Sequence, residues 1–130
     1  MDTILIIEDD DAFHFLCEMA FKRSGRNIKL LKALDGVQAF EVLESAETMP
    51  DLILVDINMP RMNGLEFLAE YAKRGGGKIP VVAMLTSSDQ ARDRQQAMGY
   101  EFVRDYLVKP LTAEHIDRLE TIFEELAATA

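Results

Sequence analysis

Residues 52–60 read LILVDINMP, and the four apolar residues at the start of this stretch carry the clearest indication of the fold. They do not alternate with polar residues, as they would in a strand with one face in water. Short continuous runs of aliphatic and β-branched residues are typical of strands buried on both faces of a sheet. The same reasoning predicts four further strands, the second of them on weaker grounds, at residues 4–7, 28–33, 81–85 and 106–108.

Helical patterns occupy the segments between these strands. Residues 13–21 carry apolar side chains at the spacing of one face of a helix. Similar spacing predicts helices around residues 37–43, 65–72 and 116–126, and the polar segment 89–98 is interpreted as a helix with a thin buried stripe. Alternating strands and helices form a parallel sheet covered on both sides. The prediction is an α/β fold, a flavodoxin-like doubly wound five-stranded parallel sheet in the order 2-1-3-4-5 with helices on both faces.

Composition and charge describe a small acidic domain. A length of 130 residues fits one domain, residues 1–130, and we expect no output domain. The net charge of −9 argues against nucleic acid and anionic membrane lipid as partners, because both attract cationic surfaces. The longest apolar runs are four or five residues and the N-terminus lacks the features of a signal peptide, so we expect a cytoplasmic location.

Acidic residues follow two of the predicted strands. Glu8 and Asp9 come directly after the first strand, and Asp56 comes directly after the third. The carboxyl ends of parallel strands meet at one edge of the sheet. If the order is 2-1-3-4-5, the first and third strands are neighbours and these carboxylates converge. Three carboxylates without histidine or cysteine favour a hard cation, for which Mg²⁺ is the usual choice.

A hydroxyl group and a fixed positive charge follow the fourth and fifth strands at this edge. Thr86 follows the fourth strand, and Lys109, with Pro110 after it, follows the fifth. A metal ion, an ammonium group and a hydroxyl around one point stabilise the charge on phosphoryl oxygens. A carboxylate among them can attack phosphorus and carry an acyl phosphate.

The order of these segments resembles the receiver domain of two-component response regulators, and the closest likeness is to stand-alone receivers of the chemotaxis type. The segments are Ile7-Glu8-Asp9, the stretch DINMPRMNG at 56–64, Leu85-Thr86-Ser87-Ser88 and Tyr106-Leu107-Val108-Lys109-Pro110. Each segment alone is a weak signal, but each follows a predicted strand. The resemblance covers essentially the whole chain and implies a signalling module of a two-component phosphorelay.

The resemblance implies the following phosphorylation chemistry. Asp56 is the phosphoacceptor, and it receives the phosphoryl group from a histidine kinase or a histidine phosphotransfer protein. Glu8, Asp9 and Asp56 bind Mg²⁺ together with the backbone carbonyl of Asn58. By this resemblance the chain is not an enzyme with a separate substrate, because it catalyses only its own aspartyl phosphorylation and dephosphorylation.

The resemblance also implies how the signal leaves the site. Thr86 and Lys109 contact the phosphoryl oxygens, and the shift of Thr86 vacates space that Tyr106, the aromatic switch residue, fills by turning inward. The Lys109–Pro110 peptide bond is expected to be cis. The surface of helix 4, strand 5 and helix 5 then changes its affinity for a downstream protein, which the sequence does not name, and the domain is expected to be a monomer or a weak dimer.

Three other functions share parts of this pattern. A Mg²⁺-dependent phosphohydrolase of the haloacid dehalogenase type also forms an aspartyl phosphate, but its motif is Asp-x-Asp after the first strand, and Asp56-Ile57-Asn58 lacks the second acid. A flavodoxin-like FMN binder needs a glycine- and hydroxyl-rich loop after the first strand, where this chain has acids. A receiver-like scaffold that acts independently of phosphorylation is disfavoured because every functional position carries suitable chemistry.

One segment departs from the receiver pattern, and three further residues receive ordinary structural interpretations. Gly99 lies seven residues before Tyr106, farther than is usual in receivers, which predicts a longer helix 4 or a longer loop after it. His14 and His115 lack metal-ligand spacing and are interpreted as surface or boundary residues, although His14 follows the acidic cluster and could tune it. Cys17 is interpreted as a core residue.

Overall fold

The structure is a computed structural model that describes residues 1–128, in which strands and helices alternate along the chain. The elements are β1 (Thr3–Ile7), α1 (Asp11–Arg23), β2 (Lys29–Ala33), α2 (Gly36–Ser45), β3 (Leu52–Val55), α3 (Gly64–Lys73), β4 (Val81–Thr86), α4 (Ala91–Met98), β5 (Val103–Val108) and α5 (Ala113–Ala128). All strand pairs are parallel, and the sheet order is β2-β1-β3-β4-β5. The predicted α/β fold is therefore confirmed.

The sheet separates two apolar layers. α1 and α5 cover one face around Phe21, and α2, α3 and α4 cover the other around Phe67. Every residue of β1, β3 and β4 is buried, which explains why these strands are continuous apolar runs. Cys17 is fully buried in the first layer, so its interpretation as a core residue is confirmed. Among residues 1–128, no helix is both long enough and apolar enough to cross a membrane.

Side-chain caps begin helices that follow strands at the carboxyl edge of the sheet. The Asp10 carboxylate accepts a hydrogen bond from the Ala12 amide at 2.9 Å and begins α1. Asn63 and Glu66 form a reciprocal capping box that begins α3. Only residues 8–10 separate β1 from α1, whereas the longer connection 56–63 separates β3 from α3.

The segment before β5 differs from the prediction. α4 ends at Met98 and only residues 99–102 connect it to β5, so the expectation of a longer helix or a longer loop is wrong. The additional residues extend β5 instead, which begins at Val103 and contains a bulge at Arg104. The aromatic ring of Phe102 contacts that of Tyr71 edge-on, with 5.0 Å between ring centroids, and this contact ties the start of the strand to α3.

Candidate functional site

The candidate site lies at the carboxyl edge of the sheet, where β1 and β3 end side by side. Ile7 pairs with Val55 in the ladder, and the Asp56 amide donates to the Ile7 carbonyl at 3.0 Å. The residues that follow the two strands are therefore neighbours. Carboxylate oxygens of Glu8, Asp9 and Asp56 all lie within 4.8 Å of one another. The structure thus brings together the three acids that the sequence predicted to converge.

Two of these acids are buried, and the surroundings of Glu8 change its pKa. Glu8 is 3% exposed and Asp56 is 5% exposed, whereas Asp9 is exposed. Burial, followed by the hydrogen bond and charge of Asp56, raises the pKa of Glu8 from 4.5 to about 7, although Lys109 acts in the opposite direction. A second cation between the carboxylates would relieve this repulsion.

The donor set fits a hard divalent cation. All three side chains offer carboxylate oxygens, and among residues 1–128 no histidine or cysteine belongs to the cluster. Mg²⁺ prefers oxygen ligands and is usually held by a few carboxylates, with water and phosphate oxygens in its other positions. Asn58, the expected donor of a backbone carbonyl, lies two residues beyond Asp56 in the connection between β3 and α3.

Lys109 provides the positive charge of the site. Its Nζ donates to Glu8 Oε2 at 2.8 Å and to Asp56 Oδ2 at 3.2 Å, and it lies 4.1 Å from the centroid of the Phe13 ring. Burial alone would lower the pKa of the Lys109 ammonium, but the hydrogen bond to Glu8 and the charge of Asp56 outweigh it and raise that pKa. The Lys109–Pro110 peptide bond is cis, as the resemblance implied.

Thr86 and Tyr106 are connected through the loop that follows β4. Thr86 is fully buried at the end of the strand, and its Oγ1 accepts a hydrogen bond from the Ser88 amide at 3.2 Å. The Tyr106 hydroxyl donates to the Ser88 carbonyl at 2.7 Å, and its buried ring lies 5.2 Å below the Arg94 guanidinium. Burial raises the pKa of Tyr106. Tyr106 is therefore both a core aromatic and a neighbour of the Thr86 loop.

Gly64 allows α3 to begin directly against the site. A Cβ at this position would lie 2.1 Å from the backbone carbonyl oxygen of Asp56, far inside any real contact distance. The Gly64 amide donates to the Ile57 carbonyl at 2.8 Å. Only a residue without a side chain permits this approach, so Gly64 helps to set the backbone around Asp56.

His14 is a residue whose environment the sequence did not reveal. Its interpretation as a surface or boundary residue is wrong, because the residue is buried, with 9% of its surface exposed, and its Nε2 lies 2.7 Å from the Glu8 carbonyl oxygen. Burial lowers the pKa of His14 in spite of that hydrogen bond. The available signal was its position in α1, three residues before the buried Cys17. His115 is a partly buried residue whose Nδ1 accepts from the Thr112 amide, as a boundary position predicts.

A second contact absent from the predictions joins two loops at the same edge. Asp35 is buried and caps α2, and both of its carboxylate oxygens accept hydrogen bonds from Arg61, from Nε at 2.7 Å and from a terminal nitrogen at 3.1 Å. Although burial alone would raise the pKa of Asp35, Arg61 and the amides at the start of α2 lower it. Arg61 has a φ of 60°, a left-handed conformation uncommon outside glycine and asparagine.

Comparisons with known proteins agree on one family. The family model described as the response regulator receiver domain matches residues 4–120. The "Regulator of RpoS" of Escherichia coli K12 is 38% identical over 108 residues, 83% of this chain and 30% of that protein. "Sensor histidine kinase CheAY" of Helicobacter pylori is 32% identical over 117 residues, 87% of this chain and 14% of that protein. The chain thus spans less than a third of the length of these two curated relatives.

Comparison with a solved structure also identifies a response regulator. The crystal structure of a two-component response regulator from Cytophaga hutchinsonii is similar with a TM-score of 0.85 and 30% sequence identity. The match covers 96% of this chain and 98% of that one. The similarity in fold therefore extends over nearly the whole of both chains.

Proposed function

The chain belongs to the response regulator receiver domain family, and from that premise we propose that it accepts a phosphoryl group on Asp56 and passes the signal on by changing its affinity for another protein. Receiver domains are signalling modules that interact with histidine kinases or phosphotransfer proteins, and they generally bind Mg²⁺ at an acidic site. The observation that carries the proposal is the place of Asp56, which is buried beside Glu8 and in contact with the Lys109 ammonium.

In the proposed reaction, a carboxylate oxygen of Asp56 attacks the phosphorus of a phosphohistidine. An oxygen–phosphorus bond forms, the phosphorus–nitrogen bond breaks, and the leaving imidazole takes up a proton. Glu8, Asp9 and Asp56 would hold Mg²⁺, which when bound neutralises charge on the phosphoryl oxygens. Lys109 already donates to Asp56 and is placed to donate to an oxygen of the attached group. The chain turns over no other substrate in this scheme.

The signal would leave the site through Thr86. Its Oγ1 now accepts from the Ser88 amide, and a hydroxyl that turns toward a phosphoryl oxygen releases this contact. The same loop holds Tyr106 through the Ser88 carbonyl. Phosphorylation would therefore change the balance between inward and outward positions of the Tyr106 ring, and with it the surface of α4, β5 and α5. A downstream protein would bind this surface.

The test is an intact-mass measurement after incubation with acetyl phosphate and Mg²⁺. The wild type should gain one phosphoryl group, and the gain should disappear with EDTA and in Asp56→Asn. The matched control is Asp89→Asn, which changes an exposed aspartate in the loop before α4 and should leave the adduct intact. An adduct of equal yield in Asp56→Asn, mapped to the same peptide, would overturn the proposal. A wild type that gains no phosphoryl group would favour the phosphorylation-independent scaffold.

A further inference from the structure

We infer that His14 is a positioning residue that holds the Glu8–Asp9 peptide in the geometry required for Mg²⁺ binding. This inference rests on the proposed function, because it deepens the account of the same acidic site. It concerns a contact through the backbone of Glu8, not through its carboxylate. His14 touches neither the metal position nor the phosphoryl position in this account.

The contact itself is well defined. His14 Nε2 lies 2.7 Å from the Glu8 carbonyl oxygen, and a carbonyl only accepts, so Nε2 carries the proton. On the other side of the same residue, the Glu8 amide donates to the Ala33 carbonyl at 2.9 Å. β2 ends at Ala33, so the ladder between β1 and β2 supplies no donor for the Glu8 carbonyl. The imidazole of His14 supplies that donor instead.

The position of Asp9 makes this contact important for the site. Glu8 is held through its side chain, since Oε2 accepts from Lys109 at 2.8 Å and Oε1 accepts from the Asp10 amide at 3.2 Å. Asp9 has no comparable support, because its carboxylate forms no hydrogen bond or ion pair with residues 1–128. The orientation of its side chain therefore follows the orientation of the peptide that precedes it, and that peptide contains the carbonyl bound by His14.

The helix also ties His14 to the loop through its backbone. The His14 amide donates to the Asp10 carbonyl at 3.2 Å, in the first turn of α1. One residue therefore contacts the acidic loop at both ends, at Glu8 through its side chain and at Asp10 through its main chain. Partners that orient the ligands of a metal site typically change metal affinity 10- to 100-fold when removed. The indirect contact made by His14 places the expected loss near the lower end, at about tenfold.

Two substitutions separate the hydrogen bond from the volume of the ring. His14→Phe keeps a ring in the buried position and removes the donor, whereas His14→Gln places an amide donor near the position of Nε2. Phe21→Leu is the matched control, because Phe21 is also buried in α1 but lies at its far end. Circular dichroism establishes that each variant is folded before any comparison.

The first readout is Mg²⁺ binding to the unphosphorylated domain by isothermal titration calorimetry. His14→Phe should bind Mg²⁺ about tenfold more weakly, and His14→Gln should return close to the wild-type affinity. Phe21→Leu should lower the unfolding midpoint but leave Mg²⁺ affinity unchanged. The second readout is amide hydrogen exchange in EDTA. The Asp10 amide, which donates to Glu8, should exchange about fivefold faster in His14→Phe, as expected for the loss of one hydrogen bond.

Each outcome decides the inference. Wild-type Mg²⁺ affinity in folded His14→Phe would overturn it, and so would an equal loss in Phe21→Leu or a failure of His14→Gln to restore binding. A wild type that binds no Mg²⁺ would also overturn it. If the wild type binds Mg²⁺ but gains no phosphoryl group from acetyl phosphate, the proposed function fails, while the weaker binding of His14→Phe still supports the inference.

Discussion

Replacement of Glu8 with glutamine should stabilise the Mg²⁺-free domain at pH 8 and have much less effect at pH 5. In the structure, Glu8 is buried beside Asp56, and these surroundings raise its pKa from 4.5 to about 7. Between pH 4.5 and about pH 7, the folded domain therefore keeps a proton on Glu8 that the unfolded chain has already released. Stability from this group is present at low pH and is lost as the pH rises through about 7.

The magnitude follows from the two pKa values. At pH 8 the carboxyl group is ionised in both states, and a folded pKa of about 7 in place of 4.5 costs about 3 kcal/mol. At pH 5 the folded carboxyl is protonated, and the cost falls to about 1 kcal/mol. Glutamine does not titrate, and its single amide oxygen can replace one of the two Glu8 oxygens that accept from Lys109 and from the Asp10 amide, a loss that is the same at both pH values. The gain in Glu8→Gln should therefore be about 2 kcal/mol larger at pH 8 than at pH 5.

Urea unfolding in EDTA measures this difference. The chain contains no tryptophan, so unfolding is followed by far-ultraviolet circular dichroism. Glu124→Gln is the control, because it makes the same substitution at an exposed position in α5. Addition of Mg²⁺ at pH 8 should stabilise the wild type more than Glu8→Gln. The variant lacks one of the three carboxylates of the acidic cluster, and a ligand stabilises a protein only as far as the folded state binds it. Equal changes in the free energy of unfolding at both pH values, or a loss of stability at pH 8, would refute the assignment of a raised pKa to Glu8.

Three further changes test other parts of the site. Gly64→Ala should destabilise the domain by about 3 kcal/mol in urea unfolding, since its Cβ would lie 2.1 Å from a backbone oxygen. The control Gly99→Ala should be tolerated, because the atoms nearest to its Cβ would lie 3.4 Å away. Arg61→Ala should raise the pKa of Asp35, measured by carbon-13 NMR, because the buried carboxylate loses its cationic partner. Lys109→Ala should retain Mg²⁺ binding in calorimetry but lose the change in the NMR spectrum that phosphorylation causes in the wild type.

One result would contradict each of these three predictions. Equal stability of the two alanine variants would show that α3 can move away from the site without cost. An unchanged titration of Asp35 in Arg61→Ala would show that the amides at the start of α2 alone hold its pKa down. Loss of Mg²⁺ binding in Lys109→Ala would show that the ammonium is needed to assemble the acids.

Sequence reasoning was most effective where the information is local. The apolar runs predicted the strands, and the structure confirms these together with the expected sheet order. The same reasoning placed Glu8, Asp56, Thr86 and Lys109 at one edge of the sheet. It succeeded because parallel strands all end at the same edge, so a position directly after a strand is already a position in space.

Local patterns failed where a few additional residues could be accommodated in several ways. The distance between Gly99 and Tyr106 indicated extra length but not its location. The structure extends β5 and adds a bulge at Arg104, supported by the contact between Phe102 and Tyr71. The two rings are far apart in the sequence, and no helical or strand periodicity encodes their meeting.

The strands, the buried faces of the helices and the positions of the acids, hydroxyl and ammonium directly after strands follow from the amino acids alone, because periodicity and burial act over short segments. The order of the strands belongs to the assembled sheet. The inward side chain of His14, the ion pair of Arg61 with Asp35 and the raised pKa of Glu8 come from the folded arrangement. They depend on how closely α1, the loops and the sheet approach one another. Packing between distant segments sets those distances, and hydrogen bonding and desolvation change steeply with them.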